Sequence, residues 1–154
     1  ELWVIGTALI VLAIFLYLAE RLSPRNRDIK QLSFLQIQLI GLTQALALIP
    51  GCSRSGSTIM GGLMVGLNRE AAARFSFLLG LPAIFGSGLY ELKELIELGI
   101  SSDGYLNLAV GISAAFVTGY LSIELLLRFL RNHGTLVFVI YRIVIGTGIL
   151  LFLV

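Results

Sequence analysis

The sequence predicts an all-α, polytopic integral membrane protein that contains a re-entrant helix hairpin, and three observations predict it. Of the 154 residues, 57% are hydrophobic and 13% charged, with a mean hydropathy of +0.95, which is too apolar for a soluble domain of ordinary composition. Apolar runs of membrane-spanning length recur between short polar segments. One further apolar stretch, residues 34–67, is broken in its middle by Pro50-Gly51 and a run of hydroxyls and arginine, which leaves each half too short to cross.

Residues 2–19 form a continuous apolar run, close to the ~20 residues that cross ~30 Å of hydrocarbon at 1.5 Å per residue. The chain opens at Glu1 with no initiator methionine, basic n-region or small-residue cleavage site, so this run is not a signal peptide and reads as the interior of a longer protein. Arg21, Arg25, Arg27 and Lys30 follow around Ser23-Pro24, where proline and charge end the helix. Residues 34–49 carry Gln36, Gln38, Thr43 and Gln44 and make only ~24 Å of helix. A second short apolar helix, residues 55–67, precedes Asn68-Arg69-Glu70. Two half-length helices around a Pro-Gly break fit a re-entrant pair, residues 34–67, lining a polar cavity.

Residues 71–96 make the next span, interrupted by Pro82 and Gly86-Ser87-Gly88, and an acidic stretch over 91–103 follows. Residues 105–127 span again, with Gly111, Ala115 and Gly119 at four-residue steps as a smooth face for helix packing. Arg128, Arg131 and His133 close that helix, and residues 135–154 make the last span. If 34–67 returns to its starting side, the basic segments 21–30, 69–74 and 128–131 lie together, as the positive-inside tendency favours. Those loops are then cytoplasmic and the C-terminus lies outside.

The charge of +2 and pI near 9.0 therefore speak of topology, and no basic patch with interleaved aromatics points to nucleic acid. The single cysteine, Cys52, excludes an internal disulfide framework and a multi-cysteine metal site.

The chemistry-bearing stretch is Pro50-Gly51-Cys52-Ser53-Arg54-Ser55-Gly56-Ser57-Thr58. An arginine among hydroxyls within a membrane protein is costly unless partnered, and its planar fork suits two phosphate oxygens at once. A structural arginine that snorkels or pairs with a helix end is the plainer reading of Arg54. Free N–H groups at the start of the following helix add an anion site, although ordinary N-capping explains any single serine nearly as well. Gly51 to Thr58 imitates a nucleotide-binding P-loop, but Ser57 stands at the lysine position and no strand precedes it. A nucleophile elbow fails as well, because Ser55 replaces its second glycine. Gln44 either faces the cavity or packs as a plain amide. His133, beside Gly134 after a helix end, reads as a cap. Arg142, next to Tyr141 early in the last span, either reaches the interface or points into the bundle.

Gly41-Leu42-Thr43-Gln44, the 50–58 run, Glu70-Ala71-Ala72-Ala73-Arg74-Phe75-Ser76-Phe77-Leu78-Leu79 and Tyr141-Arg142 together resemble the C-terminal half of bacterial undecaprenyl-diphosphatases, the bacitracin-resistance family. The resemblance covers essentially the whole chain. It implies a polytopic enzyme of the bacterial inner (plasma) membrane, built from two inverted repeats, that hydrolyses undecaprenyl diphosphate to the monophosphate carrier of cell-wall synthesis. Residues 1–33 would then be the last span of the first repeat with its basic loop, and 34–154 the second repeat. The arginine and serines of the family signature hold the diphosphate, which carries over to catalytic roles for Ser53 and Arg54. Gln44, Gly51, Ser55, Gly56, Ser57 and Thr58 would bind substrate, and Tyr141 and Arg142 would support them.

The family's first-repeat signature, with its glutamates and histidine, is absent from these 154 residues, and Gln44 stands where that repeat has a glutamate. Acid/base groups would come from a missing first repeat or from another copy of the chain. The resemblance also implies dependence on Mg²⁺ or Ca²⁺, although no acidic metal ligand is visible near Arg54. A lipid-phosphate transporter or flippase is the alternative class, since broken helices around an anion site also describe transporters. A non-catalytic phosphate-binding half is a third reading.

Overall fold

The computed structural model describes residues 2–99 and 102–153. Its regular structure is helical apart from one isolated bridge between Arg27 and Leu67. The helices are α1 (Leu2–Leu22), α2 (Phe34–Gln44), α3 (Arg54–Met64), α4 (Arg69–Leu98), α5 (Ser102–Asn132) and α6 (Leu136–Phe152). Short 3-10 turns occupy Ile29–Gln31 and Ala45–Leu48. Three helices, over Leu2–Leu22, Arg69–Glu97 and Gly104–Asn132, are long and apolar enough to cross a membrane. At 17 residues α6 lies at the short end of that range.

The half-length pair is real as geometry. α2 and α3 have 11 residues each, about 16 Å of helix apiece. Ser33 starts α2 with a capping box shared with Gln36, so one of the glutamines in that apolar stretch serves the helix end. Asn68 caps α4 by accepting from the Ala71 N–H at 2.8 Å. The chain leaves and returns at one end: Arg27 N–H donates to the Gly66 carbonyl at 3.1 Å, and Asn68 N–H donates to the Arg27 carbonyl at 2.9 Å.

The basic segments gather at that same end. Glu20, at the close of α1, accepts from Arg69 Nε at 2.5 Å and lies 3.8 Å from Arg25. It also accepts the Thr135 N–H at 2.8 Å and the Thr135 hydroxyl. Arg131 makes a two-pronged pair with Glu70, at 2.7 and 2.9 Å. The buried core runs from Leu12, Ala13, Leu16 and Ala19 of α1 to Ile59, Met60 and Leu63 of α3 and Ala71 to Ala73 of α4. α1 packs along α6, where Gly6 and Gly146 let the two backbones meet.

Four expectations need correction. α1 continues through Glu20 and Arg21 to Leu22, past the apolar run, because the Glu20 carboxylate is held by Arg69 and Thr135. Pro82 does not interrupt α4, which is continuous to Leu98. The same helix takes in Glu91, Glu94 and Glu97 of the acidic stretch, whose residues are good helix formers and include a Lys93–Glu97 pair at 3.6 Å. α5 likewise continues past 127 to Asn132, with Arg128 bonded to Glu124 at 2.6 Å one turn back. Residues 100 and 101 of the acidic stretch, and Val154 at the end of the last span, lie outside the described residues. Among the described residues, nothing approaches within 4 Å of a side chain built at Gly111 or Gly119 on the small-residue face of α5.

Candidate functional site

The break between α2 and α3 is shaped by two local requirements. After Pro50 the backbone turns through Gly51 at φ +93°, a conformation that side chains other than glycine's rarely accept. A Cβ there would also lie 2.6 Å from the Ile5 carbonyl oxygen and 2.9 Å from Ile5 Cα, both of them backbone atoms of α1. Gly51→Ala is expected to lower the thermal midpoint of the purified protein, at a cost of about 2 kcal/mol or more. An unchanged midpoint would show that the turn is not held against α1.

Ser53 ends the turn as the N-cap of α3, its Oγ accepting from the Gly56 N–H at 3.1 Å. The Ser57 N–H donates to the Ser53 carbonyl at 2.9 Å. Of the four N–H groups at a helix start that lack intrahelical acceptors, those of Arg54 and Ser55 have no hydrogen-bond partner among the described residues. They are donors at the positive end of a helix of three turns.

The hydroxyls divide. Ser53 and Ser55 are half-buried, with their Oγ atoms 3.2 Å apart. They face a cavity of about 180 Å³ that Gly56, Thr135, Tyr141 and Arg142 also line, with Leu126, Leu130 and Phe138 as its apolar wall. Its volume is below the ~300 Å³ at which pockets begin to enclose whole drug-sized molecules. Ser57 and Thr58, expected to bind ligand, are instead buried and occupied. Ser57 Oγ donates to the Ser53 carbonyl at 2.9 Å, and Thr58 Oγ1 to the Arg54 carbonyl at 2.9 Å. Thr58 Oγ1 and Ser76 Oγ also share a hydrogen bond of 2.5 Å.

The arginines stand on two sides of this helix start. Arg142 points into the bundle and is buried, with Nη2 donating to the Gly51 carbonyl at 2.9 Å. Its Nη1 comes within 3.3 Å of where a Gly56 side chain would begin. Arg54 does not line the cavity with Ser53 and Ser55; its guanidinium lies on the far side of α3, against Gly80 of α4. Arg54 Nη1, Arg142 Nε and Gln44 Oε1 are buried polar atoms without hydrogen-bond partners. Among the described residues, no carboxylate pairs with Arg54 or Arg142. Two cations without a carboxylate partner, with idle donors beside a helix N-terminus, are groups whose chemistry suits an anion.

The profile of the family described as bacitracin resistance protein BacA matches residues 1–148. The chain belongs to that family. Among curated relatives, a protein of Thermomicrobium roseum named undecaprenyl-diphosphatase is 48% identical over 143 residues, 93% of this chain and 51% of its own length. Proteins of the same name from Synechococcus elongatus and Chlorobium phaeobacteroides are 52% and 49% identical, over 92% and 97% of this chain. The chain spans about half the length of the curated BacA-family relatives it matches.

In this BacA-family chain the remaining predicted residues sort plainly. Tyr141 is exposed at the rim of the cavity. His133 stacks on Phe129, with its Nδ1 3.3 Å from the Phe129 carbonyl oxygen, as a helix-end residue. Sequence reasoning missed Thr135, Ser76 and Gly80. The last two carried a signal, since Ala72, Ser76 and Gly80 recur at four-residue steps as one small-residue face of α4.

Proposed function

We propose that this chain forms the phosphate-binding half of an undecaprenyl-diphosphatase, a multi-pass enzyme of the bacterial inner (plasma) membrane. The observation that carries the reading is the pair of arginines, half-buried Arg54 and buried Arg142, whose idle buried nitrogens flank the start of α3 with no carboxylate paired to them among the described residues. The name borne by relatives about 50% identical supports the substrate. In this reading residues 1–33 end a first repeat and 34–154 form the second. α2 and α3 are the re-entrant pair, and the Glu20–Arg69–Arg131 end faces the cytoplasm.

A diphosphate has two phosphoryl groups, and the site offers two cationic flanks. Ser53, Ser55 and Arg142 would hold one group and Arg54 the other, with the free N–H groups of Arg54 and Ser55 between them. In hydrolysis the bond from the bridging oxygen to the terminal phosphorus breaks. An oxygen from water, delivered directly or after attack by Ser53, takes its place, and the lipid leaves as its monophosphate. Preorganised donors lower this barrier because they meet charge that develops on the phosphoryl and bridging oxygens. Gln44 is a neutral amide and cannot serve as a base. The general acid and base would come from the length of the relatives that this chain does not span, or from a second copy.

A divalent cation is implied by the family resemblance. Among the described residues no group of three or more His, Cys, Asp or Glu side chains stands together, and the loop presents mainly donors. The described residues therefore do not by themselves fit a cation.

The test is release of inorganic phosphate from undecaprenyl diphosphate by the full-length protein in liposomes. Stoichiometric phosphate and lipid monophosphate are the expected products. Movement of intact lipid diphosphate between leaflets without phosphate release would contradict the enzyme reading and favour a transporter.

A further inference from the structure

We infer that Gly80, in the middle of α4, is a positioning residue for Arg54. This rests on the phosphate-binding role of Arg54 proposed above and assigns the element that aims it. α3 and α4 run antiparallel and meet in rungs: Gly62 against Ala72, Thr58 against Ser76, and Arg54 against Gly80. Each four-residue step toward the start of α3 is matched by a four-residue step along α4, as one-turn periodicity requires of two faces in contact. A Cβ on Gly62 would stand 3.0 Å from Ala72 Cβ, and the Thr58–Ser76 hydroxyl pair at 2.5 Å fixes the register. The next rung has no room for a side chain on α4. A Cβ at Gly80 would overlap Arg54 Nη1, with Cζ at 2.5 Å and Nη2 at 2.7 Å.

Gly80 is buried and helical, and its φ is not in the left-handed region. Turn geometry therefore does not call for glycine at this position, and helix propensity opposes it. What the missing side chain provides is a bare strip of helix on which the guanidinium lies, with Nη1 buried and unpartnered. By contrast, no described residue lies within 4 Å of a Cβ built at Gly86 or Gly88 of the same helix.

The experiment uses the full-length protein in detergent and follows phosphate release from undecaprenyl diphosphate, binding of farnesyl diphosphate by calorimetry, and the thermal midpoint. Gly80→Ala is expected to lower turnover by about 10²-fold, the scale of loss when a catalytic contact is displaced by ~1 Å. Its midpoint should be unchanged or higher, and Gly86→Ala should match the parent. In an Arg54→Ala background, Gly80→Ala should weaken farnesyl diphosphate binding no further, because both changes remove one contact. Normal turnover by Gly80→Ala, or an equal loss of binding in both backgrounds, overturns the inference. If Arg54→Ala itself turns over normally, the reading of Arg54 falls and the role of Gly80 with it, a result distinct from the first two. Should Gly80→Ala lower the midpoint, Arg54→Lys in that background must restore it by removing the overlapping head. Failure to restore it also overturns the inference.

Discussion

Arg54→Ala is expected to lower phosphate release by the full-length protein about 10²–10³-fold, the usual loss when one preorganised charged donor is removed from a reacting centre. The residue sits at the first position of α3, its Nη1 is buried without a partner, and no carboxylate pairs with it among the described residues. Such an arrangement is costly in the ligand-free protein and becomes favourable when an oxyanion arrives. Arg54→Lys keeps the charge and loses the fork, so it should fall on the same side of the comparison. The loss should appear in diphosphate binding and more strongly in turnover, because the contact is made to the bound diphosphate and strengthens as charge builds on the phosphoryl oxygens. Steady-state phosphate release for both variants checks this, and near-parent turnover by either removes Arg54 from the mechanism.

Glu20→Ala carries the largest expected effect on stability, about 3 kcal/mol, as for breaking a buried ion pair by deleting one partner. The carboxylate is buried at the end of α1 and ties three helices: Arg69 at the start of α4, and the N–H and hydroxyl of Thr135 just before α6. Its removal leaves Arg69 and the Thr135 donors without an acceptor in a half-buried place. Glu20→Gln keeps an acceptor for Thr135 and loses the charge, so it should be milder. The fraction of monodisperse protein after heating, followed for parent and both variants, reads the effect directly. A midpoint for Glu20→Ala equal to the parent's would show that the α1–α4–α6 end is held by other contacts.

Much of the fold was legible because the controlling physics is local. Apolar length announced α1, α4 and α5, and Pro50-Gly51 between two 11-residue helices announced the break. Helix ends were read less well where charges pair within or between helices. Glu20, Glu91 to Glu97 and Arg128 look like boundaries in a hydropathy reading, yet Arg69, Lys93 and Glu124 keep them helical.

The site was legible as a composition and only partly as a geometry. Ser53, Ser55 and Arg142 do gather at one cavity, but the 3.6-residue period sends Ser57 and Thr58 inward and turns Arg54 to the opposite side of α3. Arg142 and Gly51 are 91 residues apart, and no local pattern could pair them. The α3–α4 register was hidden for a related reason. Ala72, Ser76 and Gly80 carry a readable spacing, but the identity of the facing helix is a tertiary fact.

The most direct test of the account is a structure of the full-length protein with a methylene-bridged, non-hydrolysable polyprenyl diphosphonate. A phosphorus within about 4 Å of the Arg54 guanidinium, as charge-assisted contacts require, with the second group on the Ser53, Ser55 and Arg142 side, is the expected result. A headgroup seated instead in the polar depression formed by Arg25, Arg69 and Arg131 at the other end, with the start of α3 empty, would contradict it.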